Sequence, residues 1–233
     1  SWERDLRYRS WVESNRRHVE EVTGGRVGYV HIPNFIPQGL NLLIEQYFPQ
    51  QDREAIIIDQ RFNGGGWTPN RFLEILNRPP MMYRARRHGI DIPVPDDAHF
   101  GPKCMLMNDL SGSSGDMFPW MFRHAGLGPL IGTRTWGGVV GLSGNPSLID
   151  GAYPQVPNAG TYTAGGRWII EGWGVDPDIE IEDDPVAQLE GIDVRLEAAI
   201  EEMLRALEGP HFKRPARPEF PDRSGMGVPE EER

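Results

Sequence analysis

The sequence predicts an α/β domain built around a mostly buried sheet. Three observations carry that prediction. Residues 55–59 and 104–107 form short, nearly continuous apolar runs, the pattern of strands covered on both faces. Between them lie segments whose apolar residues recur at helical spacing. Strand-like and helix-like segments alternate along most of the chain, which is the order of a layered α/β domain.

Size and composition bound what such a domain does. The chain has 233 residues, enough for one large domain or two small ones, and for a sizeable core. With 38% hydrophobic and 25% charged residues it reads as soluble and globular. No apolar run approaches the roughly 20 residues needed to span a bilayer, and the charged start SWERDLRYRSWVESNRR has no signal-peptide core. A net charge of −10 argues against a nucleic-acid partner. The single cysteine, Cys104, excludes an internal disulfide and points to a reducing compartment; its apolar neighbours make it a core residue. The scattered histidines lack metal-ligand spacing, so neither a metal nor a cofactor is expected.

Residues 1–22 read as a helix with Tyr8, Trp11, Val12, Val19 and Val22 on one face, ended by Gly24-Gly25. Residues 26–34 alternate as a strand does, and His31 within them reads as a satisfied strand histidine. Residues 38–48 form a second helix and 55–59 a buried strand. Three glycines follow, in Asp59-Gln60-Arg61-Phe62-Asn63-Gly64-Gly65-Gly66-Trp67. They free the backbone to approach a ligand and to turn N–H groups inward, without nucleotide-loop spacing. Residues 68–77 read as a short helix stopped by Pro79-Pro80, and the basic stretch 83–88 as a solvated loop. After residues 116–125 (helix) and 130–133 (strand), Trp136-Gly137-Gly138-Val139-Val140-Gly141 reads as a second glycine-rich hairpin or loop. Residues 147–170 read as short strands between turns, 179–181 as a strand, and 187–208 as one long amphipathic helix including Ile192. The expected organisation is an N-terminal helix and linker over 1–25, a core domain over 26–208, and a flexible Pro-rich tail over 209–233.

The stretch 103–118, KCMLMNDLSGSSGDMF, organises the rest. A buried strand breaks at Asn108-Asp109, passes through Ser111-Gly112-Ser113-Ser114-Gly115 and enters a helix. A serine there sits at a helix N-terminus, where free N–H groups and the helix dipole favour an anion such as the oxyanion of acyl transfer. The same turn also reads as a plain cap, with Ser113 or Ser114 as N-cap.

Taken together, RFNGGGW after one buried strand, NDLSGSSGD after another, and TRTWGGVVG followed by EGWGVDPDIEIED resemble the tricorn protease family and its relatives, the C-terminal processing peptidases. The resemblance runs from about Tyr8 to Leu207. It implies a crotonase-like (Clp-type) superhelical ββα domain with a β-rich segment and N- and C-terminal helices. It also implies a cytosolic serine peptidase, homo-oligomeric, acting on peptides released by the proteasome. By motif, Ser113 matches the nucleophile, the N–H groups of Gly66 and Ser114 the oxyanion hole, and Glu171 the acidic member that orients the base. Arg84 falls where the family carries an acidic residue that selects basic P1 side chains, so acidic P1 residues are expected here instead.

No residue matches the family's base. Its histidine lies in a helical domain upstream of a PDZ-like domain, and none of His18, His31, His88, His99, His124 or His211 occupies that motif. The processing peptidases use a lysine about twenty-five residues after the serine, where this chain has Trp136-Gly137-Gly138-Val139. The base is therefore expected from upstream domains of the same polypeptide, ahead of a second source, another chain, with these residues alone nearly inactive. A non-catalytic peptide-binding or scaffold module on the same fold is the alternative.

Overall fold

The computed structural model describes residues 2–79, 81–142, 146–221 and 230–232. Pro80 of the predicted helix stop, Ser1 of the predicted first helix, and residues 222–229 and 233 of the predicted tail lie outside them. In chain order the elements are α1 (Trp2–Val22), β1 (Val27–His31), α2 (Pro37–Tyr47), β2 (Ala55–Asp59), α3 (Asn70–Leu76), β3 (Met82–Arg84), β4 (Ile92–Val94), β5 (Lys103–Met107), α4 (Ser114–His124), β6 (Leu130–Gly132), β7 (Gly141–Leu142), β8 (Pro157–Ala159), β9 (Ile179–Glu180), α5 (Pro185–Leu189) and α6 (Val194–Glu208).

Five strands form one sheet in the order β1-β2-β5-β6-β9, and every neighbouring pair is parallel. Parallel strands need crossovers; here the crossover helices α2, α3 and α4 lie on one face, and the terminal helices α1 and α6 cover the other. On one face, Val30, Ile32, Ile56, Ile58, Met105 and Met107 meet Leu43 and Tyr47 of α2, Phe72 and Leu76 of α3, and Phe118 and Phe122 of α4. On the other, Val27, Tyr29, Ile57, Cys104, Leu106 and Ile131 meet Val19 of α1 and Leu196, Ala199, Ile200 and Met203 of α6. The period-two alternation of side chains along a strand thus divides β1, β2 and β5 between two cores. Cys104 is buried in the second core, as its neighbours require.

Four sequence expectations are corrected. The strand expected over 26–34 is shorter, and its alternation does not mark a solvent face: all five residues of β1 are buried because helices cover both sides. The basic stretch begins with β3, an antiparallel partner of β4, rather than being loop throughout. Residues 147–170 hold less strand than expected: β8 pairs with β7, Tyr162 bridges Trp168, and the remainder of the described segment is irregular. The helix expected over 187–208 is two. Gly191, at φ 81°, breaks the chain between α5 and α6, and Asp184 and Asp193 cap the two starts with their carboxylates. Ile192 falls in the break.

Residues 211–217 lie along the β3–β4 hairpin. Phe212 packs edge-on against Phe100, Arg214 stacks over Tyr83, and Arg217 pairs with Asp91.

Candidate active site

Three loops leave the carboxyl ends of the adjacent strands β2, β5 and β6. In a parallel α/β sheet this edge is where loops from neighbouring strands converge. These loops carry the RFNGGGW, LSGSSGD and TWGGVVG motifs.

The first loop is held by polar side chains. Asn63, fully buried, donates to the Ile32 carbonyl (2.8 Å) and accepts from the Gly65 N–H (2.8 Å). Its own carbonyl accepts the Gly112 N–H at 3.0 Å, which joins the glycine turn to the serine turn. The contact is tight: a Cβ on Gly65 would stand 2.6 Å from the Ser113 Cβ and 2.9 Å from the Gly112 carbonyl, and Gly65 has φ +80°. No larger residue fits between these turns.

Ser113 is the N-cap of α4, with φ 56° and ψ −120°, a conformation an L-residue adopts only where its surroundings enforce it. The arrangement resembles a nucleophile elbow, with a strained serine at a strand-to-helix turn. Its N–H donates to the Gly138 carbonyl (2.9 Å), while the Gly115 and Asp116 N–H groups donate to Gly112 and Ser113. Among the described residues neither the Ser114 N–H nor the Gly66 N–H has a hydrogen-bond partner, and the Ser113 hydroxyl has none. Ser114 Oγ donates to the Gly66 carbonyl at 3.1 Å, so the residues bearing the two open amides touch each other.

Glu171 reaches the same place from the far side. Its Oε2 accepts the N–H groups of Val139 and Val140, both at 2.8 Å. These residues directly follow Gly138, the acceptor of the Ser113 N–H. Asp116, one helical turn beyond Ser113 and fully buried, accepts the Gly137 N–H at 2.7 Å. Burial raises its carboxyl above the usual range, opposed by the Thr135 hydroxyl and the amides of Gly137, Ser113 and Gly138.

The structure therefore brings Ser113, Ser114, Gly66 and the loop held by Glu171 together. Arg84 is exposed on β3, and its guanidinium makes no hydrogen bond or ion pair among the described residues. Sequence reasoning missed the polar scaffold beneath the turns. Asn108 Oδ1 accepts the Phe62 N–H, the Ser111 hydroxyl lies within hydrogen-bond distance of both the Gln60 carbonyl and Asn108 Oδ1 and has one proton for the two, and Gln60 donates to the Gly115 carbonyl. The available signal was a polar residue directly after each apolar strand, beside a glycine run.

The histidines are placed elsewhere. His31 bonds Tyr8 at 2.7 Å and is held below its ordinary pKa by burial, His99 bonds the Arg53 carbonyl, His18 pairs with Glu197, and His124 stacks on Trp120. Of the two lysines, Lys103 opens β5 at the opposite edge of the sheet and Lys213 lies near the C-terminus. No described histidine or lysine bonds Ser113. Among the described residues no cluster has the makings of a metal site, and no helix is long and apolar enough to cross a membrane.

Residues 26–181 match the model of the family described as Peptidase family S41. The chain is 43% identical over 206 residues to the tricorn protease of Thermoplasma volcanium and 39% identical over 216 residues to that of Thermoplasma acidophilum. These alignments cover 88% and 93% of this chain. It spans 20% of the length of each of those relatives. Among solved structures, a crystal structure of the tricorn protease superposes with a TM-score of 0.84 at 39% identity, over 88% of this chain and 20% of that one. The photosystem II D1 C-terminal processing protease shares the fold at a TM-score of 0.53 and 22% identity, over 76% of this chain and 46% of that one.

Proposed function

This chain belongs to peptidase family S41, and we propose that it is the nucleophile-bearing domain of a serine peptidase that hydrolyses short peptides, such as those a proteasome releases. Ser113 Oγ attacks the scissile carbonyl, and the N–H groups of Gly66 and Ser114 receive the oxyanion. Glu171 orients the imidazole of the base and stabilises its charged form. The base is a histidine supplied from outside these residues, within the same longer polypeptide. The chain's 20% share of its relatives' length supports that placement, as does the absence of any described histidine or lysine bonded to Ser113. A crotonase-like superhelical arrangement, a cytosolic setting and a homo-oligomer belong to the same reading, and the parallel sheet supports the first of these.

One observation carries the proposal. The strained Ser113 abuts the glycine turn, and among the described residues the amides of Gly66 and Ser114, on the two touching turns, have no hydrogen-bond partner. The Ser113 N–H is engaged by Gly138, so the oxyanion donors are the next residue and the facing turn.

The test is turnover of a fluorogenic peptide, and modification by a serine-directed phosphonate, in the complete polypeptide. Both are expected, and both are lost in Ser113→Ala. Residues 1–233 alone turn over roughly 10⁴-fold or more slowly, the scale of losing a triad's base. Full turnover by this chain alone, abolished by Ser113→Ala, would remove the external base. An unreactive Ser113 in the complete enzyme would leave a peptide-binding module instead.

A further inference from the structure

We propose that Asp116 is a positioning residue of this site, tying the start of α4 to the 135–138 loop so that the Ser113 N–H stays on Gly138 and the Ser114 N–H stays open. The proposal rests on the peptidase reading above.

A helix start leaves several amides without intrahelical partners. Here all but one are assigned: Gly115 and Asp116 donate back to Gly112 and Ser113, Met117 donates to Ser113, and Ser113 donates across to Gly138. The Ser114 N–H has no partner among the described residues. The bond to Gly138 decides that outcome, because a Ser113 N–H released from it would turn with the cap and carry its neighbour along. Something must hold the 135–138 loop at this distance.

Asp116 is placed to do so. Its carboxylate does not face solvent at the helix start but reaches across to the loop. Oδ1 accepts the Gly137 N–H, and the Gly138 and Ser113 amides also face the carboxylate. The Thr135 hydroxyl faces it too. That hydroxyl already accepts the Val175 N–H at 2.9 Å, so its proton is left for the carboxylate. One hydrogen bond, from the Gly137 N–H, anchors this acidic group, with the Gly138 amide and the Thr135 hydroxyl beside it and no ion pair to it among the described residues. Oδ2 is buried and makes no hydrogen bond among the described residues. A buried carboxylate without a counter-ion is costly, and an amide of equal size would fill the space more cheaply. What an amide cannot do is accept from donors on every side. Asparagine would turn an NH₂ toward the amides of Gly138 and Ser113 or toward Thr135. The residue type therefore follows from the need for an acceptor rather than from volume.

The experiment compares wild type, Asp116→Asn and Thr135→Val in the complete enzyme. It measures kcat, KM, thermal midpoint and the rate of phosphonate modification of Ser113. Expected for Asp116→Asn is a loss of about tenfold or more in kcat and in modification rate, the scale of a misplaced oxyanion donor, with KM and midpoint little changed. Thr135→Val, which removes one donor to the same carboxylate, is expected to lower kcat in the same direction and also leave KM unchanged. Wild-type kcat in Asp116→Asn would overturn the proposal. If that variant melts early, wild-type kcat in Thr135→Val would do so. If Ser113 of the wild-type enzyme does not react with the phosphonate at all, the peptidase reading fails. If it reacts, and Asp116→Asn reacts equally fast, this proposal fails alone.

Discussion

Ser113 and Gly65 show how one residue's geometry depends on another's missing side chain. The serine holds φ 56° because its N–H is fastened to Gly138 and the chain must turn from β5 into α4 within a few residues. Its Cβ then occupies the space where a side chain on Gly65 would be. Gly65→Ala would push the two turns apart and place alanine at φ +80°, a strain of about 1 kcal/mol or more. The expected result is a folded protein whose activity in the complete enzyme falls by about 10²-fold, as a 1 Å misplacement can cause. Near-normal turnover would show that the turns do not need this close approach. Arg84 poses a question of charge rather than packing. Its guanidinium is exposed and unpaired among the described residues, so it is free to meet a carboxylate. In the complete enzyme, peptides with Asp at P1 are expected to be cleaved faster than those with Arg at P1. The reverse order would remove Arg84 from substrate selection.

Among the elements, the sheet does most to make the site. β2, β5 and β6 are neighbours and run in parallel, so their following loops emerge side by side. The start of α6 strengthens the support beneath. Asp193 caps it by accepting the Leu196 N–H at 3.0 Å and pairs with Arg61 at 2.8 Å; Arg61 in turn holds Asp59 at the end of β2. One carboxylate thus joins a helix start to the strand that leads into the glycine turn. Asp193→Ala removes the cap and one partner of a buried guanidinium. A loss of about 1 to 2 kcal/mol is expected, read as a drop of a few degrees in thermal midpoint. Asp193→Asn, which keeps a capping oxygen, is expected to fall between the two. An unchanged midpoint in Asp193→Ala would mean that α6 is held by its apolar stripe alone.

Across the whole molecule, different parts of the fold were legible to different degrees. The five-residue strands 55–59 and 103–107 were readable because burial on both faces forces continuous apolar runs. Helices α1, α2 and α4 were readable because each lays one stripe on the sheet. The hairpin β3–β4 was not, since its residues are exposed or half-buried and carry no pattern that burial would impose. The break between α5 and α6 was missed because the apolar spacing continues through Ile192, while two capping aspartates and one glycine at positive φ govern the backbone there.

By itself, the sequence determined the order of the buried sheet strands and of helices α1 to α4, the two glycine-rich turns and the serine turn, and the residue types able to stabilise an oxyanion. Local chemistry suffices for these: glycine permits the turns, apolar runs must be covered, and a helix start exposes amides. The tertiary structure decided which amides remain open, since that depends on partners such as Gly138, Gly112 and Asn63 occupying their neighbours. It also decided that Glu171 reaches the serine turn through the Val139 and Val140 amides, and that Asp116 is buried against the same loop. A hydrogen bond between residues about thirty positions apart leaves no periodic trace in the chain, because it is fixed by which strands lie next to each other.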